Sequence, residues 1–108
     1  MNNSGAKDND PELYIFARFH AREGMEEVMA RAMDDMLPPV RAETDCISIN
    51  VFRSIHDQRL FYLHSRWLNE KAFEFHATLP HTRRFIETVE PLIDHPLDIT
   101  RTKPLSER

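Results

Sequence analysis

The sequence predicts an α+β sandwich, with an antiparallel four-stranded sheet carrying helices on one face. Two observations predict it. Stretches with two-residue apolar alternation and stretches with three- and four-residue recurrence follow one another as strand, helix, strand, strand, helix pair, strand. That order is the split pattern of the ferredoxin-like fold. The chain has 108 residues, enough for one domain that buries roughly 65% of its unfolded surface and not for two. Residues 12–103 are expected to form that domain, between a disordered tail at 1–11 and a short polar tail at 104–108. There are no internal repeats or low-complexity tracts.

Met1 to Pro11 is polar and almost without apolar side chains, so it cannot repay the entropy of ordering. From Glu12 to Ala21 a strand places Leu13, Ile15, Ala17 and Phe19 on one face and Tyr14, Phe16, Arg18 and His20 on the other. Gly24 makes a turn. Met25, Val28, Met29, Ala32, Met33, Met36 and Leu37 then recur at helical spacing, with Glu26, Glu27, Arg31 and Asp34 opposite. Methionines at this spacing are adaptable core filler rather than a binding groove. Pro38-Pro39 is expected to stop or bend this helix, leaving Val40 to Asp45 as a frayed exit.

Cys46 to Ser54 reads as a second strand whose alternation is only partly in phase, and His56-Asp57-Gln58-Arg59 as a hairpin loop into a third, Leu60 to Leu68. Asn69 is placed as a helix N-cap, followed by a short helix through Phe75 that Pro80 ends or redirects. A second helix restarts at His81. Its inward stripe is Phe85, Ile86, Val89, Leu92 and Ile93, with Pro91 distorting its end. Pro96 to Lys103 closes the sheet, with Leu97 and Ile99 inward.

Composition removes several function classes. Apolar residues make up 41% and charged residues 30%, and 14 Lys and Arg against 18 Asp and Glu give a net charge of -4. A nucleic-acid-binding surface would need a basic stripe, and the nearest candidate is only Arg83-Arg84, a solvated helix face. The single Cys46 cannot form an intrachain disulfide, which points to a reducing, cytoplasmic setting. No apolar run has the length of a membrane span, and the polar N-terminus lacks the core of a signal peptide.

Chemistry concentrates between Leu60 and Phe85, which holds the only Trp and three of the six His. A strand delivers Trp67 to a helix start, and the helix returns His76 and the Pro80-His81 corner toward that strand, which walls a small pocket. Leu63 shares strand parity with Trp67. His76 and His81 are five apart across a proline rather than at the four-residue spacing of a helical metal pair, so no metal site is expected. His20, His56 and His95 have no partners visible in sequence and are read as structural or solvated. On the sheet's other face Tyr14, Phe16, Phe52 and Tyr62 form an apolar patch, which predicts a homodimer packed sheet to sheet.

The run W-L-N-E-K-A-F-E-F-H-A-T-L-P-H, Trp67 to His81, resembles the antibiotic biosynthesis monooxygenase domain family, where a strand ending in Trp precedes a helix ending in His and a Pro-His corner. The start at Glu12 to Gly24 and the Glu43 to Cys46 turn are also similar. The resemblance implies a dimeric α+β barrel with an apolar pocket in each subunit, and an activity that oxidises quinols or aromatic phenols with molecular oxygen and no other cofactor. It implies His76 as base, His81 as orienting group or proton shuttle, Trp67 and Phe73 as ring walls, and Leu63, Phe19 and Ile49 as further contacts to a small aromatic substrate. Leu63 and Phe73 stand where quinone-forming relatives have Asn and Tyr, and Ser65 where an acidic residue is common. Two other classes fit the same block: a non-redox isomerase of a small, phosphorylated metabolite, with Arg83 and Arg84 as its basic rim, and a binding or stress protein without turnover. A haem-degrading relative fits less well, because the region around Ile86 has no His.

Overall fold

A computed structural model describes residues 10–106. Residues 1–9 of the expected N-terminal tail, and the last two of the C-terminal tail, lie outside the described residues. The elements are β1 (Leu13–His20), α1 (Glu26–Arg41), β2 (Cys46–Arg53), β3 (Leu60–Trp67), α2 (Glu70–His76), α3 (Pro80–Val89), a 3-10 turn (Glu90–Leu92) and β4 (Asp98–Thr102). The sheet order is β2-β3-β1-β4, and each neighbouring pair is antiparallel. This is the ferredoxin-like arrangement, with the two long central strands paired from Leu13↔Trp67 to His20↔Leu60.

Strand parity fixes the core. Leu13, Ile15, Ala17 and Phe19 of β1 are buried beside Phe61, Leu63, Ser65 and Trp67 of β3. Against them pack Met29, Met33, Met36 and Val40 of α1 and Val89 and Ile93 from the far end of the chain. The stripe of α1 thus begins later than periodicity suggests, since Met25 and Val28 are more than a third exposed. Pro91 marks the 3-10 turn where α3 loses its regular geometry. Gly24 alone among the described residues has a positive φ, +85°, in the turn where a Cβ would be strained.

Two local expectations are corrected. The helix does not stop at Pro38-Pro39 but runs through both to Arg41. Two main-chain donors are lost, yet the turn survives because Val40 is almost completely buried, Pro38 O accepts from Ala42 N at 3.1 Å, and Arg41 donates to Ile49 O at 2.9 Å. The segment after Val40 is therefore an ordered turn rather than a frayed exit. Second, His20 and His95 are not without partners. His20 lies between Asp94 and Asp57, at 2.9 and 3.0 Å, and its main-chain N–H donates to His95 Nε2 at 2.7 Å.

The weak phase of β2 has a physical cause. A register shift between Cys46 and Ser48 inserts an irregularity opposite β3 and leaves Ile47 exposed, while Ile49 and Val51 face the core. At the other edge Leu97 is half-buried and Ile99 about two-fifths exposed. No described helix is long and apolar enough to cross a membrane.

Candidate functional site

Between the inner sheet face and the helices lies a cavity of about 530 Å³. Trp67, Phe73, His76, Leu63, Phe19 and Ile49 all line it. Six side chains singled out from the sequence thus converge on one space. His81 does not line it. It borders a separate depression of about 300 Å³ with Asp35, Pro39 and Arg84, on the other side of a wall built from Met36 and Phe85.

The local geometry follows from the strand-to-helix corner. Asn69 Oδ1 accepts from Ala72 N at 2.9 Å and caps α2 two residues after the strand ends. A helix of only seven residues then brings His76, in its last turn, back over Trp67. Pro80 occupies the first position of α3, where its missing N–H would have been unsatisfied anyway. The corner is held by Leu79 N donating to His76 O and Arg83 N to Leu79 O, each at 3.1 Å.

Trp67 is fully buried and its Nε1–H donates to Ser65 Oγ at 2.9 Å. Its indole donor is therefore occupied, and the ring offers the cavity an apolar wall. The His76 ring stacks against it with centroids 4.4 Å apart, and Phe73 meets Trp67 edge-on at 5.7 Å. At the rim, Arg101 sits 5.2 Å over the Phe73 ring and is held by Glu70 and Glu74. Arg83 and Glu87 also line the cavity.

The residue that sequence reasoning missed is Glu43. It sits in the turn between α1 and β2, where its N–H donates to Val40 O and its carbonyl accepts from Cys46 N. Its Oε2 accepts from His76 Nδ1 at 2.8 Å and from His81 Nε2 at 2.6 Å. A carboxylate only accepts, so it fixes the neutral His76 tautomer with the proton on Nδ1 and leaves the Nε2 lone pair for another proton. Thr82 Oγ1 lies 3.2 Å from the same Nδ1. The one available signal was the similarity of the Glu43–Cys46 turn, which gives no hint that a residue 33 positions away meets His76.

Burial lowers the affinity of His76 for a second proton below that of a free imidazole. Glu43 opposes this effect, and the neighbouring His81 adds to it. Burial, reinforced by Glu43, pushes the Cys46 thiol up to about 11, which disfavours its thiolate at neutral pH. The arrangement can hold a flat apolar ring against Trp67 and Phe73 and present one oriented imidazole to it.

Comparison with known proteins agrees with this architecture. A family model described as antibiotic biosynthesis monooxygenase matches residues 13–88. A Mycobacterium tuberculosis protein named "Putative monooxygenase Rv0793" is 29% identical over 93 residues, covering 86% of this chain and 91% of its own length. "Putative monooxygenase YcnE" of Bacillus subtilis is 29% identical over 85 residues, covering 79% of this chain and 87% of its own. The crystal structure of PA3566 from Pseudomonas aeruginosa superimposes with a TM-score of 0.82 at 28% identity, over 90% of this chain and 97% of that one. With the first three strands, the Trp67-to-His81 corner and all three helices but the last residue of α3 inside the matched span, the chain belongs to the antibiotic biosynthesis monooxygenase family.

Proposed function

We propose that this protein is a cofactor-independent monooxygenase that oxidises a quinol or phenol-type aromatic molecule with molecular oxygen. One observation carries the reading: an aromatic-walled cavity of about 530 Å³ contains His76, whose Nδ1 is tied to Glu43 and whose Nε2 lone pair is left to act. An electron-rich phenol that is deprotonated can reduce oxygen itself, so the protein must supply dryness, a base and a returned proton. For a substrate with a ring methylene, His76 Nε2 takes a proton, the carbanion reduces O2 by one electron, and the radical pair joins as a C–O bond. The peroxide takes the proton back from His76. Loss of the second methylene proton with O–O cleavage gives the ketone and one water, so CH2 and O2 become C=O and H2O. Trp67 and Phe73 wall the ring, with Leu63, Phe19 and Ile49 as apolar contacts, and His81 acts through Glu43 rather than on the substrate.

The working unit is read as a homodimer joined by the outer sheet face. Phe16, Phe52 and Tyr62 are 52%, 54% and 44% exposed there. A second copy brings the same aromatic set to cover them.

Oxygen uptake by the metal-free protein with a panel of hydroquinones and anthrones tests the activity. We expect uptake above background, reduced by about 10²- to 10⁴-fold in His76→Ala, the range of a lost acid–base group. No uptake with any member of the panel would count against the oxygenase. A second reading, a non-redox isomerase of a phosphorylated metabolite, is favoured by Arg83 at the cavity. It predicts displaceable binding of sugar phosphates that Arg83→Ala weakens, with no oxygen consumed.

A further inference from the structure

We propose that Glu43, His76 and His81 form a binding site for one divalent transition-metal ion of the zinc type, and that its occupation switches His76 off as a base. One donor atom from each residue lies within 4.8 Å of the other two. Two imidazoles and a carboxylate are a donor set that suits Zn2+, Fe2+ and Co2+, and three protein ligands leave a position open for water. The five-residue spacing of the histidines, wrong for one helix, is made right by the Pro80 corner, which turns both rings toward one carboxylate with centroids 6.3 Å apart.

The cluster is sheltered without being sealed. Side-chain exposure is 11% for His76, 11% for Glu43 and 23% for His81. An ion can enter from the His81 side while Trp67 backs the His76 ring. The present contacts of 2.6 and 2.8 Å are hydrogen-bond distances. Tetrahedral zinc bonds of about 2.0–2.1 Å would space all three donors about 3.3 Å apart, so each ring nitrogen must draw back roughly half an ångström from the carboxylate while the two nitrogens, now within 4.8 Å of each other, settle at that same spacing. Both histidines sit at the helix ends that meet at the corner.

Tautomer chemistry gives the consequence. The hydrogen-bonded state has protons on His76 Nδ1 and His81 Nε2, the two nitrogens the ion needs. Each neutral ring therefore moves its proton to its other nitrogen, with no net release. His76 then carries N–H on Nε2 and has no lone pair for the cavity. The ion competes with base function rather than serving it. Binding itself is independent of the proposed oxygenase activity, so a failure to bind leaves that activity standing, whereas the loss of base function rests on the reading of His76 as the base.

The test titrates Zn2+ and Co2+ into the chelator-treated full chain. Trp67, the single tryptophan, stacks on a ligand ring and reports the site directly. We expect one Zn2+ per chain by equilibrium dialysis, quenching of Trp67 fluorescence by Co2+, a Co2+ absorption band of low-symmetry coordination, and a rise in Tm reversed by EDTA. Glu43→Gln, which keeps an acceptor oxygen in place, and His81→Ala should each weaken binding by more than the about 10- to 100-fold that losing a supporting hydrogen bond costs. His56→Ala and His20→Ala should leave it unchanged. Unaltered binding in both Glu43→Gln and His81→Ala, loss of binding in His20→Ala, or no Tm response and no stoichiometric uptake by the wild-type chain would each overturn the site.

Discussion

Trp67 and Ser65 show how one pair of side chains serves both core and cavity. Both residues are 1% exposed, and the indole N–H donates to the serine hydroxyl at 2.9 Å. Trp67→Phe removes the donor and part of the ring volume, so unfolding in urea should reveal a loss of about 2–4 kcal/mol. Replacing Ser65 by Ala in that background removes the stranded hydroxyl and should recover part of the loss. A loss no smaller in the double variant would mean that the hydrogen bond contributes little. Trp67 and His76 were both legible in the sequence, because parity and the strand-to-helix signal need only local residues. Glu43 was not, since its turn meets the α2–α3 corner only after the helices pack on the sheet.

Among the elements, α2 is the one that depends most on its cap. Seven residues are too few to be stable alone, and four main-chain donors at its start need partners. Asn69 supplies one of them, at Ala72 N. Asn69→Ala should cost about 1 kcal/mol in thermal or urea unfolding. It should also loosen the Trp67–His76 stack, visible as faster exchange of the α2 amides at unchanged global fold. Equal exchange rates in wild type and variant would show that packing alone holds the helix. The longer α1 shows the opposite case, where burial of Val40 carries a helix past two prolines that local rules say should end it.

Across the whole molecule, His20 ties the end of β1 to the β2–β3 loop through Asp57 and to the segment before β4 through Asp94. The hydrogen bond to Asp94, then that to Asp57, raises its affinity for a proton. In turn His20 lowers the carboxyl of Asp94, while at Asp57 the Arg59 N–H contributes first and His20 second. A raised His pKa adds stability that is complete below the unfolded value of about 6.5 and is lost as pH rises through the folded value. The lowered carboxyls add stability above their unfolded value of about 3.9, lost as pH falls through the folded one. The clip is therefore strongest between these limits. The stability gap between wild type and His20→Asn should shrink as pH rises from about 6 to 8, and salt should weaken it because the carboxylates are well exposed. A gap independent of pH would point to packing instead. At the same scale, Phe16→Arg with Phe52→Arg places charges in the outer aromatic patch; under the proposed interface light scattering should give dimers for the wild type and monomers for this variant. A monomeric wild type would remove the proposed interface.

By itself the sequence determined the strands, the helices and which face of β1 and β3 turns inward, because alternation at two and recurrence at three and four residues are properties of neighbours along the chain. It also marked the Trp67-to-His81 corner that identifies the family. Only the tertiary structure decided what depends on distant partners. It carried α1 through Pro38-Pro39 under the burial of Val40, placed a register shift in β2, and put His81 outside the cavity. Above all, it joined Glu43 to both histidines, since their hydrogen bonds exist only once the turn after α1 is packed against the α2–α3 corner.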